Sequence, residues 1–205
     1  MELKMQTSLF CILGAIVSMV GWMFIYPASG DGSATAATNA ADLMADPGLA
    51  KVGMLMGFGG MIALMMGFLN IARKMAAGTG LGSAFANVSG VFSLGLIIVM
   101  TLLLGVEWAA VEASSAEIGT ALMQISTASE TTFMVSMGLV LSTLGIGIII
   151  EKNYHVIIGG FTAIVGVTFL ISMVGGGAGI LGFIGWIGML LVRIALGVQT
   201  LRSKG

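Results

Sequence analysis

Few side chains in this sequence have the chemistry to act on a ligand, and each stands almost alone. Glu107 ends a long apolar run and is followed at once by Trp108. An ionisable group in hydrocarbon is costly and is a functional candidate by default. Beside a tryptophan, where an apolar run gives way to polar chain, the same residue reads as a solvated helix end. Asn87 and Asn70 are the other polar candidates, and both are expected to make helix-helix or helix-end hydrogen bonds. Arg193 is expected to reach the cytoplasmic headgroups by snorkelling. His155, in "EKNYHV", is the only histidine, which excludes bis-histidine haem ligation and a histidine-based metal cluster. The acid nearest to it, Glu151, falls in the same short turn, so no Ser/His/Asp triad forms at membrane depth. Cys11 is the only cysteine, so neither an intrachain disulfide nor a cysteine-based metal site is available.

Methionine is abundant, with 17 residues, and Met54, Phe58, Met61, Met65 and Phe68 share one face of a helix. Thioethers suit Cu(I), and the spacing of Met61 and Met65 resembles the methionine pair of copper uptake channels. That resemblance spans five residues. The chain has no Met-rich or Cys/His-rich outer tract to collect the metal. Flexible methionines filling irregular core gaps account better for the face, and Met61 and Met65 stand outside that reading as a weak metal candidate. The segment "GTGLGSAF", residues 78–85, superficially resembles a phosphate-binding loop but lacks the Lys-Ser/Thr ending, so it reads as a helix connection.

The elements that must carry these residues are membrane helices. Of 205 residues, 58% are hydrophobic and 8% charged, against about 25% charged in a soluble domain. Six windows approach the roughly 20 apolar residues that a bilayer core requires: residues 9–26, 52–71, 84–106, 132–150, 156–174 and 178–199. The first has a longer apolar core than a signal peptide and is expected to be retained. The fold class is therefore an all-α integral membrane protein, a single six-helix bundle. Lys4, Arg73, Lys74, Lys152, Arg193, Arg202 and Lys204 collect on one side, with Lys51 alone opposite. The acids Asp31, Asp42, Asp46, Glu107, Glu112, Glu117 and Glu130 collect on the other side. Positive charge stays inside, so both termini are expected in the cytoplasm, with outer loops at residues 27–51 and 107–131. The first loop reads as coil, then a short helix broken at Pro47. The second has Ile118, Leu122 and Ile125 at helical spacing, which predicts a short amphipathic helix at the interface.

Small residues spaced four and then three apart mark one helix face, and membrane helices associate through such faces. The set is Gly14, Ser18 and Gly21; Gly53, Gly57 and Gly60; Ala86, Gly90 and Ser93; Gly138, Ser142 and Gly145; Gly159, Ala163 and Gly166; and Gly175, Gly179 and Gly182. With 32 glycines in the chain, such triplets also arise by chance, and packing explains them in either case. In "VGGGAGILGFIG" the run Gly175 to Gly177 is expected to form a tight outer turn, the one place to look for a hinge. The position of the stripes within their helices suggests an inverted three-plus-three repeat. The "LM" pairs Leu43-Met44 and Leu122-Met123 suggest instead that the first two helical hairpins are copies.

Net charge is −1 and the basic residues are scattered, so no nucleic-acid partner is indicated. No constellation of nucleophile, base or metal ligands appears, so neither enzyme activity nor a cofactor is expected. The leading expectation is a non-catalytic accessory subunit of the cell membrane, packed in the bilayer against copies of itself or other membrane subunits. The alternative is a transporter or channel for a small neutral or lipid-like solute, neutral because no charged residue other than Glu107 comes near the membrane interior.

Overall fold

The computed structural model describes residues 2–28, 34–174 and 180–202. Among these, seven α-helices are formed: α1 (Leu3–Val20), α2 (Ala36–Ala45), α3 (Pro47–Ala76), α4 (Leu81–Val111), α5 (Ala116–Glu151), α6 (Val156–Val174) and α7 (Ile180–Arg202). All but α2 are long and apolar enough to cross a membrane, with α1 counted together with the turn that continues it to Ile25. The chain is thus a multi-pass membrane protein. Gly175, Gly179 and the turn expected at Gly175 to Gly177 lie outside the described residues.

Local chemistry sets the helix starts. Pro47 occupies the first turn of α3, where its missing N–H is no loss, and the Asp46 carboxylate accepts from the Leu49 N–H at 3.0 Å. Thr35 and Ser115 cap α2 and α5 in the same way. The short helix before Pro47 is therefore present as expected. The second outer loop is not a separate interfacial helix. Nothing between Ala116 and Glu130 stops a helix, and two hydroxyls there turn back onto their own backbone, Thr127 Oγ1 donating to the Met123 carbonyl and Ser129 Oγ to the Ile125 carbonyl, each at 2.9 Å. As a result α5 runs unbroken for 36 residues, about 54 Å against a hydrocarbon core of about 30 Å. The buried phase also differs from expectation, since Gly119, Met123 and Ser126 face inward while Ile118 and Ile125 are exposed. The overhanging start of α5, the end of α4 and α2 together make a cap, with Leu43 of α2 fully buried.

The spanning helices close into a ring in chain order: α1 packs on α3, α3 on α4, α4 on α5, α5 on α6, α6 on α7, and α7 back on α1. Burial alternates around it. α3, α5 and α7 bury 61%, 61% and 44% of their apolar windows, whereas α1, α4 and α6 bury 28–33%. Three inner helices therefore surround the axis and three outer helices wedge between them.

Small residues make the seams. Between α1 and α3, a Cβ added at Gly14 would lie 2.8 Å from the Gly60 carbonyl, one at Gly53 would lie 2.7 Å from Tyr26 Cα, and one at Gly57 would enter the Trp22 indole. Gly21 and Ser18 face Gly57 and Gly60 at backbone contact. Between α5 and α6, Gly138 meets Leu170 and Gly166, Ser142 meets Gly166, and Gly145 meets Gly159 and Ala163. Gly182 is buried on α7.

Candidate functional site

Two ionisable side chains are buried in this bundle, where the sequence suggests solvated ones. Arg193 does not snorkel: it is fully buried. It follows Met189 by one turn of α7 and precedes Gly197 by another, on the face turned to the axis. Nη1 donates to Met61 Sδ of α3 at 3.5 Å, Nη2 lies 4.0 Å from Met137 Sδ of α5, and Nη2 also donates to Met189 Sδ of α7. The Phe68 ring centroid is 5.8 Å from the guanidinium carbon. Three inner helices thus each present a thioether to one cation. Thioether sulfur is a weak acceptor, and arginine stays protonated in proteins. Nε is buried with no partner, and no carboxylate reaches the group among the described residues. Burying an ion without a counter-charge costs several kcal/mol.

The depth is central. Met61 lies midway along the 30-residue α3. Cys11 of α1 is buried nearby, its Cβ 3.1 Å from where a Cβ on Gly197, one turn of α7 from Arg193, would sit. Met65 is buried in the core one turn from Met61. The sulfur of Met61 already serves a guanidinium, an arrangement that opposes a second cation there.

Glu107 is likewise buried, 5% exposed, rather than a solvated helix end. The Tyr26 hydroxyl donates to Oε2 at 2.6 Å and the Ser126 hydroxyl to Oε1 at 2.5 Å. Tyr26 is delivered by a single π-turn, Gly21–Ile25, that ends α1 and is closed by the Tyr26 N–H on the Gly21 carbonyl at 2.8 Å. Such widened turns recur at functional positions. Here it lays Trp22 on Gly57, with its ring 4.7 Å from those of Tyr26 and Phe58. At the rim beyond, Lys51 pairs with Glu112 at 2.6 Å and sits 5.0 Å from the Trp108 ring centroid. The hydrogen bond from the Lys51 ammonium, and then its charge, hold the exposed Glu112 carboxyl below the usual range.

The structure does not bring Glu107, Asn87 and Asn70 together. Asn87 is exposed and Asn70 half-buried, both toward the basic end of the bundle, and Asn87 is 20 residues, or about 30 Å, from Glu107 along α4. At that basic end a cleft of about 450 Å³ is lined by Lys74, Glu151, Asn153 and Tyr154, and the Tyr154 hydroxyl meets Thr200 Oγ1 at 3.0 Å. His155 is exposed there. Among the described residues, no three His, Cys, Asp or Glu side chains gather where a metal ion would sit.

Arg193, Tyr26 and Ser126 escaped the sequence reading, although helix phase carried a signal for the first. Gly182, Gly185, Met189, Leu196 and Thr200 form the buried stripe of α7, and Arg193 falls on it. Comparison with known proteins adds nothing to this geometry: no family model, curated protein or solved structure matches the chain.

Proposed function

We propose that the chain is a small transporter or channel of the cell membrane, with its route along the axis that α3, α5 and α7 surround. The observation that carries this is Arg193: a permanent charge at mid-bundle, costly to fold around and met only by sulfur, is hard to explain as packing. Intramembrane ionisable groups mark solute and ion pathways. Glu107, hydrogen-bonded to α1 and α5 at the cap, is a second polar station further along the same bundle. The solute is accordingly not restricted to a neutral one.

The expectation of an accessory subunit drew on dense small-residue faces, few buried polar groups and modest outer loops. The chain's own helices fill those faces along the α1–α3 and α5–α6 seams, and Arg193 and Glu107 are buried, so these features favour that reading less. In our reading the end bearing Lys4, Arg73, Lys74, Lys152 and Arg202 is cytoplasmic. At the opposite end Lys51 is the single basic residue among those described, so the Lys/Arg asymmetry holds despite it. The alternation of outer and inner helices with period two favours hairpin copies over a three-plus-three repeat.

Cys11 supplies the test, because it is the only cysteine in the sequence and is buried where α1 meets α3 and α7, against Gly67 and Gly197, one turn of α7 from Arg193. A charged, membrane-impermeant methanethiosulfonate is expected to modify Cys11 in native vesicles without denaturant, and Cys11→Ser to abolish the labelling. A thiol that stays unreactive until the protein is unfolded would refute an opening axis.

A further inference from the structure

Resting on that transport reading, we infer that Arg193 is the binding group for a weakly hydrated monovalent anion, which enters the axis and completes the guanidinium's unmet hydrogen bonds. Three features of the site select this class. The first is stoichiometry of charge. One cation faces the axis with no acid beside it among the described residues, so one negative charge brings the centre to neutrality, whereas a divalent anion leaves the excess reversed.

The second is the donor set. A guanidinium offers five N–H groups in a planar fork. Here Nη1 and Nη2 have only sulfur acceptors and Nε has none. An oxyanion such as nitrate accepts from two of them at once, in the geometry that distinguishes arginine from lysine.

The third is the surroundings. Met61, Met137, Met189 and Phe68 are polarisable and apolar, and they offer no N–H or O–H donors of their own to replace a hydration shell. Anions that shed water easily, such as nitrate, thiocyanate and iodide, lose little on entering. Sulfate and phosphate lose much. Flexible thioether chains also give way without breaking a helix, so methionines around the cation allow the anion to displace sulfur from the fork. Glu107 sits away from this centre, near the cap end of α4, hydrogen-bonded to Tyr26 and Ser126, and takes no part in holding the anion.

The test uses the full chain in native-lipid vesicles and follows modification of Cys11 by an anionic methanethiosulfonate. Nitrate and thiocyanate are the probes and sulfate is the control, at matched ionic strength. Nitrate and thiocyanate are expected to slow modification saturably, by about tenfold, and sulfate to leave it unchanged. Arg193→Met suits the methionine-rich surroundings; its Cys11 is expected to remain reactive but no longer protected. Arg193→Lys keeps the charge without the fork and is expected to need about tenfold more anion for half-protection. Protection that survives Arg193→Met places the anion elsewhere and overturns the inference. A reactive Cys11 that no monovalent anion protects also overturns it, while leaving the transport reading intact. A Cys11 that never reacts in the wild-type protein removes the transport reading and the inference with it. Should Arg193→Met fail to fold, Arg193→Lys decides: half-protection at an unchanged concentration overturns the role given to the guanidinium.

Discussion

Gly59 and Gly60 are neighbours in α3, and replacing each in turn by alanine separates helix propensity from helix packing. Alanine is preferred to glycine in a helix by about 1 kcal/mol, and this gain applies to both positions. At Gly59 a new Cβ meets nothing within 4 Å, so the gain is kept and Gly59→Ala is expected to be stabilising by up to about 1 kcal/mol. At Gly60 the same Cβ would lie 2.8 Å from the Gly14 carbonyl oxygen and from Ser18 Cα, and closer still to the Ser18 amide. These are backbone atoms and no rotamer change relieves the clash. Ordinary contact is about 3.5 Å and the Ser18 amide nitrogen would be the nearest of these atoms, so α1 and α3 must part by about 1 Å, which forfeits about half of the van der Waals attraction along the seam. Overpacking of this kind costs about 1–3 kcal/mol, and its rigid partners put Gly60 at the upper end. After the propensity gain, Gly60→Ala is expected to lose about 2 kcal/mol, a gap of about 3 kcal/mol between adjacent positions. Reversible unfolding in mixed micelles, followed by far-ultraviolet circular dichroism, measures it. Gly145→Ala, whose Cβ would lie 2.6 Å from the Gly159 carbonyl, and Gly160→Ala, with nothing within 4 Å, repeat the comparison at the α5–α6 seam. Equal stability of the two variants in either pair, or a stabilising Gly60→Ala, would refute close backbone contact as the basis of the ring.

The Glu107 cluster makes a prediction about sign. Ser126→Ala removes a donor to a buried carboxylate and is expected to cost about 1.5–3 kcal/mol, whereas Glu107→Met placed in that background should recover part of the loss, because no carboxylate is left unanswered; an additive double mutant in the same unfolding assay would contradict this. Tyr26→Phe is expected to behave like Ser126→Ala and to disturb the Trp22 environment, read as a shift in tryptophan emission. At the rim, Lys51 lowers the pKa of Glu112, so the stability this pair adds is fully present above the ordinary glutamate value of about 4.3 and is lost as pH falls through the lower folded value. Lys51→Met should therefore differ slightly from the wild type at neutral pH and converge with it in acid. A difference that grows on acidification would rule the pair out as its cause.

Hydrophobic runs and small-residue spacing made the bundle legible, and the structure shows why. A span announces itself through some 20 apolar residues whatever its neighbours are, and Gly14, Gly57, Gly60 and Gly145 read as packing residues because close approach depends on the missing side chain alone. The helix ends were less legible. The stretch from Ala116 to Glu130 is rich in Ser, Thr and Ala, which resembles loop composition, but Thr127 and Ser129 bond back to the helix, Ser126 bonds to Glu107, and α2 covers one side. Its length beyond the bilayer is a property of the cap, and no local signal carries it. Which helices turn inward was not legible either, because α3, α4 and α5 are all apolar nearly all round.

The two buried charges were hidden for a more instructive reason: each was judged by depth along the chain when its phase was the informative coordinate. Glu107 follows Met100 and Leu103 and precedes Ala110 on the buried stripe of α4, so it points at α5 regardless of how near the rim it lies. A solvated glutamate beside Trp108 would fall off that stripe. Arg193 stands in the same relation to Met189, Leu196 and Thr200 on α7. An arginine on the outer face can lay its stem along lipid and reach headgroups. One on the inner stripe of a closed ring has helices on every side and must find its partners at its own level, where this chain provides sulfur. A residue tolerated there merely as a packing element would be better replaced by methionine or leucine, since apolar substitutes for buried charge are often stabilising by about 1–4 kcal/mol. Keeping the guanidinium at that cost is the physical argument that the centre of the ring serves a ligand.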